Sequence, residues 1–551
     1  MSEAANHDSR GTRFLSRNDE MHLQQTKVKS RAGIEPILNA IPAARQGDAR
    51  HYGVHPYFTR RPGNVVRAYI ERYSREGDVV LDPFGGTGVT AIEAMLLGRR
   101  AVHNDLNPFA NFIARTIADT TLPSTFPLRE AFERVEEACR GPLREIEADE
   151  AAAKKCLEGT PLPENIRLPR DSDAEHFFDL FTPQQLAGLA LLKQAIDREP
   201  DGSVRDALLL AWSASIAKLN KTFLSAKGRA ASRGGSSIFS IYRYKLASQW
   251  VELPIWETFQ GRFANVLAAK KEVLQCRLFR ERRSNGPRTL DSRRDFLVLS
   301  HDAATIDRIL EPNSVDYIFT DPPYGGFITY LDLSVLWNHW LGFPISEEAR
   351  EQETIVGGER NHTEQHYKES LAKSIRSSIR LLRPDRWLSI VFQHWDLSYF
   401  STILETACEQ GAQLKAAITQ TGDVIWSMHK KKNSASVLAG EMIITFYKPR
   451  LARAPQAPGG DVAVREPSAV LSEVFDICLE NGVDGFTSEA LFNRLVIELW
   501  HRRALGCLAL DRREFVSHLE RRGWTYNPRT HLWSRVDKKT GKSGEPMLFR
   551  Q

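Results

Sequence analysis

At 551 residues the chain is too long for one ordinary hydrophobic core, so two or three domains are expected. Its hydrophobic fraction of 42% suits a globular protein, and no run approaches the roughly twenty uninterrupted apolar residues of a membrane span. A net charge of only +5 does not by itself announce nucleic acid, and six cysteines without a C-x-x-C pair argue against a disulfide scaffold or zinc site and for a reducing cytoplasm.

The opening segment MSEAANHDSRGTRF has no apolar core and is not expected to be a secretory signal. Residues 1–50 are polar and without period, apart from an apolar patch at 34–41, and are expected to form a mobile arm. After it, Pro62 opens a helix in which Val65, Val66, Tyr69 and Ile70 share one face. Val79-Val80-Leu81 is a short apolar run that fits a strand buried on both faces. The stretch Asp82-Pro83-Phe84-Gly85-Gly86-Thr87-Gly88 then turns the chain, its glycines leaving no Cβ to obstruct a ligand. A helix is expected over 90–97, stopped by Gly98, and Ala101-Val102 leads into Asp105 at the end of the next strand. A carboxylate there can accept both hydroxyls of a ribose. Glycine loop and acid together describe a nucleoside site at the carboxyl ends of a doubly wound sheet, although the loop is not the G-x-G-x-x-G of dinucleotide folds.

Residues 121–290 interrupt this sheet, with helical periodicity over 130–157 and 184–224. A polar loop at 226–237 follows, and then Phe239, Tyr242, Tyr244 and Trp250. Lys218 to Lys245 has many basic residues and no acid, and Arg277 to Arg294 is rich in Arg. Such a segment can hold phosphates and support unstacked bases, or be an ordinary helical insertion with a solvated surface loop. The sheet resumes over 294–299, and Ser300-His301-Asp302-Ala303 lies between that strand and a helix. A further strand, 317–319, runs directly into Asp321-Pro322-Pro323-Tyr324. Leu333, Leu336, Trp337 and Trp340 form a helical core stripe, and Tyr330 with Gly325-Gly326-Phe327 can border a pocket. Residues 347–365 read as a polar, mobile loop; His362 and His366 lie one turn apart, but the general-base spacing of H-E-x-x-H is missing, so no metal is expected. An amphipathic helix at 368–382 ends at Arg383-Pro384, a strand is expected over 387–394, a helix over 397–410, and a closing strand pair over 423–448 around Lys430, Lys431 and Lys432. A Pro/Ala/Gly-rich linker at 450–467 leads to three helices, at 471–479, 488–500 and 512–522, and a hairpin at 524–536. Arg502, Arg503, Arg521, Arg522 and Arg529 suit DNA, while a protein-binding role for this unit is nearly as well supported.

The pair DPFGGTG and DPPY resembles the S-adenosylmethionine-dependent amino-methyltransferases that methylate adenine N6 or cytosine N4 in DNA. The resemblance implies a doubly wound, Rossmann-like α/β sheet built from 51–120 and 291–449. The chain departs from the simplest family layout by a mainly helical insertion at 121–290, the favoured place for target recognition, and by a small domain at 468–551 whose three helices and hairpin suggest a winged helix. The resemblance assigns S-adenosyl-L-methionine to Tyr57, Phe58 and Thr59 over the methionine end, to Asp82, Pro83, Phe84, Gly85, Gly86 and Gly88 in the loop, to Asp105 and Leu106 at the ribose, and to Asp302 and Ala303 at the adenine. Asp321, Pro322, Pro323 and Tyr324 become the catalytic turn. An exocyclic amine is a poor nucleophile because its lone pair is delocalised into the ring; Asp321 and the Pro322 carbonyl can accept its hydrogens, and Tyr324 offers a face to a base flipped out of double-stranded DNA. Asp at 321 leans toward adenine, since the cytosine enzymes more often carry Ser there. The expected activity is site-specific adenine methylation of DNA, in a restriction-modification or phage-defence system with further protein subunits. Alternatives are an RNA base methyltransferase, or a DNA-binding subunit whose activity needs partners.

Overall fold

The computed structural model describes residues 33–44, 49–224, 235–248, 250–275, 296–420, 440–450, 467–480, 485–528 and 530–535. Outside them lie most of the loop at 226–237, the Arg277–Arg294 run, Lys430 to Lys432, nearly all of the linker, and Arg529.

The chain runs α1 (Gly63–Tyr73), β1 (Val79–Asp82), α2 (Val89–Leu96), β2 (Arg100–Asn104) and α3 (Pro108–Ala118). Long helices follow, α4 (Phe126–Ala148), α5 (Glu150–Gly159), α6 (Pro183–Ile196), α7 (Ser203–Ile216) and α8 (Ile255–Gln275). Then come β3 (Phe296–Leu299), β4 (Val315–Thr320), α9 (Tyr330–Leu333), α10 (Val335–Leu341), α11 (Glu347–Gln352), α12 (Glu364–Leu381), β5 (Leu382–Phe392), α13 (Leu397–Glu409), β6 (Gln413–Gln420) and β7 (Glu441–Lys448). The last part holds α14 (Pro467–Glu480), α15 (Ser488–His501), α16 (Arg512–Arg521), β8 (Trp524–Asn527) and β9 (Leu532–Arg535).

Seven strands form the central sheet in the order β3-β2-β1-β4-β5-β7-β6. The first five are parallel and the last two antiparallel to their neighbours. Every residue of β1 and of β4 is buried, as expected for central strands covered on both faces. From β1 the chain winds outward through β2 and β3, then returns to place β4 on the other side of β1. This reversal opens a crevice between the carboxyl ends of β1 and β4, the place where doubly wound sheets bind ligands. Leu81 pairs with Ile318, so the glycine loop and the Asp321 turn leave the sheet side by side.

The helices of 126–275 are not a detached lobe. Trp212, Leu189 and Phe259 share one buried cluster with Val66, Tyr69 and Phe109 of the sheet-covering helices. Trp337 donates its indole N–H to the Ser213 carbonyl (3.0 Å), and Lys270 caps carbonyls at the end of α3, including that of Asp119 (2.8 Å). The apolar patch of the expected arm also packs: the Ile37 N–H donates to the Tyr73 hydroxyl (2.9 Å), and Ile34, Ile37 and Ile41 lie against the core.

Three local readings need correction. The strand expected to start at 387 starts at Leu382, through Pro384. Between the pairs Val315–Leu382 and Tyr317–Trp387 the register slips, and Asp385 adopts φ 59°, so Pro384 sits in a bulge where no ladder N–H is required. A strand not expected, β6 at 413–420, pairs with β7, while the first part of the closing pair expected over 423–448 lies outside the described residues up to 439. The polar stretch 347–365 contains α11, and Thr354 and Ile355 after it are buried. Among the described residues, no helix is long and apolar enough to cross a membrane.

Candidate active site

The crevice forms one pocket, partly open to solvent. It is lined by Tyr57 and Thr59, by Asp82, Pro83, Phe84, Gly85 and Gly86, by Asp105 and Leu106, by Asp302 and Ala303, and by Asp321 and Pro323. Signals spread over more than 260 positions of sequence therefore meet in one cavity.

Asp82 ends β1 almost fully buried. Its Oδ1 accepts from the Phe84 N–H (3.1 Å) and the Thr320 hydroxyl (3.0 Å), and its Oδ2 from the Thr90 hydroxyl (2.7 Å). Burial still pushes its pKa up to about 7. The turn that follows is sterically forced. A Cβ on Gly85 would stand 2.2 Å from the His103 ring, and Gly86 holds φ +52°. Asp105 takes the Gly86 N–H on Oδ2 (2.8 Å) and the Asn107 N–H on Oδ1 (2.8 Å), which fixes the carboxylate at the rim with lone pairs to spare. Burial raises it to about 6. Asp302 caps the short helix Ala303–Arg308 by accepting from the Ala304 N–H (2.8 Å), and burial raises its pKa.

Two of the assigned cofactor residues stand behind the wall instead of on it. Phe58 is turned into the core, its ring against Phe239, Tyr330 and Trp337. Gly88 starts α2 at φ +84°, where a Cβ would lie 2.7 Å from that of Ala114, so it serves helix packing.

In the turn at 321–324, Asp321 accepts from the Tyr324 hydroxyl on Oδ1 (2.6 Å) and is ion-paired on Oδ2 with Arg61. Arg61 also pairs with Glu441 at the start of β7, and its guanidinium stands 5.8 Å from the centre of the Tyr324 ring. Burial outweighs Arg61 and raises the Asp321 pKa. Pro322 is buried, while the Pro323 carbonyl accepts from the Tyr367 hydroxyl (2.6 Å). Phe392 buttresses Tyr324 edge-on at 5.2 Å. Tyr330 lines the pocket as expected; Phe327 is half exposed beside His394 and does not.

Several contributors carry no motif. The Asn104 amide donates to the Pro83 and His301 carbonyls (2.9 Å each) and accepts from the His301 N–H (3.1 Å), fastening three strand tips together. Arg60, Arg61, Asn107, Gln352, Glu353 and Thr354 also line the cavity. Asn104 and Asn107 adjoin Asp105 in a stretch the sequence already assigns to the adenosine side; for the others only their position in the fold marks them out.

Other expected residues take structural parts. Tyr244, proposed for bases, is buried and donates to the Leu333 carbonyl (2.7 Å). His362 and His366 stack at 3.8 Å, each ring Nε2 against a backbone carbonyl. Arg522 pairs with Asp476 (2.6 Å) and Arg502 with Glu498 (2.7 Å) inside their own unit, while Arg503 and Arg521 stay exposed.

Residues 17–114 match a family model described as DNA methylase, of the N6/N4 type. The match starts within the expected arm and ends in α3, so it covers the glycine loop and Asp105 but not the turn at 321. A stretch of 63 residues is 33% identical to Type II methyltransferase M.MjaII of Methanocaldococcus jannaschii, covering 11% of this chain and 12% of that protein.

Proposed function

We propose, from the premise that this chain belongs through residues 17–114 to the N6/N4 DNA methylase family, that it transfers a methyl group from S-adenosylmethionine to an exocyclic amine of a flipped base in DNA. The observation that carries the reading is the shared cavity: the glycine loop after β1 and the Asp321 turn after β4 face the same space.

The donor set fits the cofactor. Asp105 presents lone pairs to ribose hydroxyls, Asp302 to the adenine amine, and Asp82 offers a carboxylate to an ammonium group. When bound, the cofactor supplies a methyl already activated on a sulfonium sulfur. The protein's part is then positioning and electrostatics. Tyr324 holds Oδ1 of Asp321, which leaves Oδ2, once Arg61 withdraws, to accept a hydrogen from the target amine. The Pro322 carbonyl is the second acceptor. Both draw the nitrogen toward tetrahedral geometry and favour the charge that develops on attack.

Asp at position 321 supports adenine N6 over cytosine N4. The relative's printed name, a type II methyltransferase, supports a place in a restriction-modification system, with the helices of 126–275 and a winged-helix-like unit at 467–535 reading the target. The test is labelled methyl uptake from S-adenosylmethionine into unmethylated duplex DNA and into total RNA, followed by nucleoside analysis. Label in N6-methyladenine of DNA, lost in Asp321→Ala, is expected. Label in RNA alone overturns the proposal.

A further inference from the structure

We infer that Glu353 is a further cofactor-binding residue, its carboxyl closing the nucleoside side of the pocket together with Asp105. This rests on the cofactor reading above and adds a contact that neither motif contains.

Residues 347–362 form a strap along the pocket, and it is built to stay there. Arg350 on α11 donates to Asp332 Oδ1 (2.7 Å), and the Glu359 N–H donates to Asp332 Oδ2 (3.0 Å). Gly357 and His362 exchange backbone hydrogen bonds (2.7 and 2.8 Å), and the Val356 N–H reaches the Gly325 carbonyl beside the catalytic turn (3.3 Å). The product of this bracing is that Gln352, Glu353 and Thr354 face the cavity.

Glu353 is the unusual member. It is 7% exposed, and its Oε1 accepts from the Leu331 N–H (2.9 Å). Among the described residues no cation is ion-paired with it: Arg350, the nearest candidate on the strap, is committed to Asp332. A buried acid that lines a ligand cavity with one oxygen satisfied by the protein can be completed by the ligand. The charges around it agree. Burial, and next the Asp332 carboxylate, push Glu353 up to about 8, with Asp105 adding to the rise. Near neutral pH the group is then mostly protonated. It can give a hydrogen bond to a nucleoside oxygen while Asp105, ionised, takes one. A pair with one donor and one acceptor suits a vicinal diol better than two carboxylates would.

The experiment is calorimetric titration of the full chain with S-adenosylmethionine and S-adenosylhomocysteine. Glu353→Ala should weaken both ligands alike, by about tenfold. Glu353→Gln, whose amide keeps an acceptor for Leu331 and a donor for the ligand, should stay within about threefold of the unmodified protein. Unchanged affinity in Glu353→Ala, or a loss confined to the sulfonium ligand, overturns the inference. If Glu353→Ala does not fold, hydrogen exchange of the unmodified protein decides. Slower exchange over 347–362 with S-adenosylhomocysteine supports the contact, and no change refutes it. An unmodified protein that binds neither ligand overturns the methyltransferase reading, and this inference with it. Normal binding there with no effect of the substitution overturns this inference alone.

Discussion

At the scale of single residues, the site is a set of acids held at unusual cost. Asp82 and Asp105 are both raised by burial, to about 7 and about 6, against an ordinary 3.8. Each must be ionised to serve the ligand as proposed. Affinity for S-adenosylmethionine should therefore climb by roughly a hundredfold between pH 5.5 and 7.5, which titration across that range will measure. The effect on folding has the opposite sign. A carboxyl whose folded pKa is raised stabilises the fold most below its unfolded value and loses that contribution as pH rises through its folded value. Asp82→Asn should thus melt about 1–3 °C higher than the unmodified protein at pH 8 while binding the cofactor poorly. Asp321 makes a separate prediction. Asp321→Asn should retain cofactor affinity and lose methyl transfer by about 10²–10³-fold, read as single-turnover rate against titrated binding. If binding is lost as well, Asp321 belongs to the cofactor site and not to the chemistry.

At the scale of elements, the legible parts were those where one short stretch meets a strict local demand. The β1 strand, the glycine turn and Asp105 were readable because a buried strand, a close approach and a strand-end acid leave few residue choices. The turn at 321 was readable for the same reason. Elements whose signal is tertiary were not. β6 has the sequence QLKAAITQ, with one buried residue, so it offers no clear alternation and is placed by pairing with β7. Pro384 looked like a stop because the bulge that tolerates it depends on the neighbouring strand. Glu353 was invisible as one acid in a polar run; its meaning comes from the strap that carries it. The expectation for Gly88 changed from ligand contact to packing, and this is testable. With φ +84° and Ala114 in the way, Gly88→Ala should cost about 2–3 kcal/mol, seen as a lower denaturant midpoint.

At the scale of the whole molecule, the C-terminal unit is docked on the domain of the central sheet. Trp395 packs against Phe492 and Phe515, Phe400 against Phe492, and the Asn493 amide donates to Thr419 on β6 (3.0 Å). These side chains belong to the same buried cluster as the β5 and α13 residues beneath them. A chain ending at 450 should accordingly expose Trp395 and Phe400 and elute as aggregate in size-exclusion chromatography, and not as a compact monomer. A soluble, active fragment of that length would show that the unit is dispensable cargo.

Arg61 spans this whole body: it sits before α1, reaches the turn after β4, and leans on the first residue of β7. On the reading proposed above, its flat, hydrogen-rich guanidinium near the Tyr324 ring would hold the place of a flipped base. A nucleobase arriving there would displace Arg61 toward Glu441, its other partner, and would pull on residues 57–59 next to it, which line the proposed donor pocket at Tyr57 and Thr59. Admission of the acceptor and seating of the donor would then be one mechanical event, so a stray amine too small to dislodge the occupant would find the door shut.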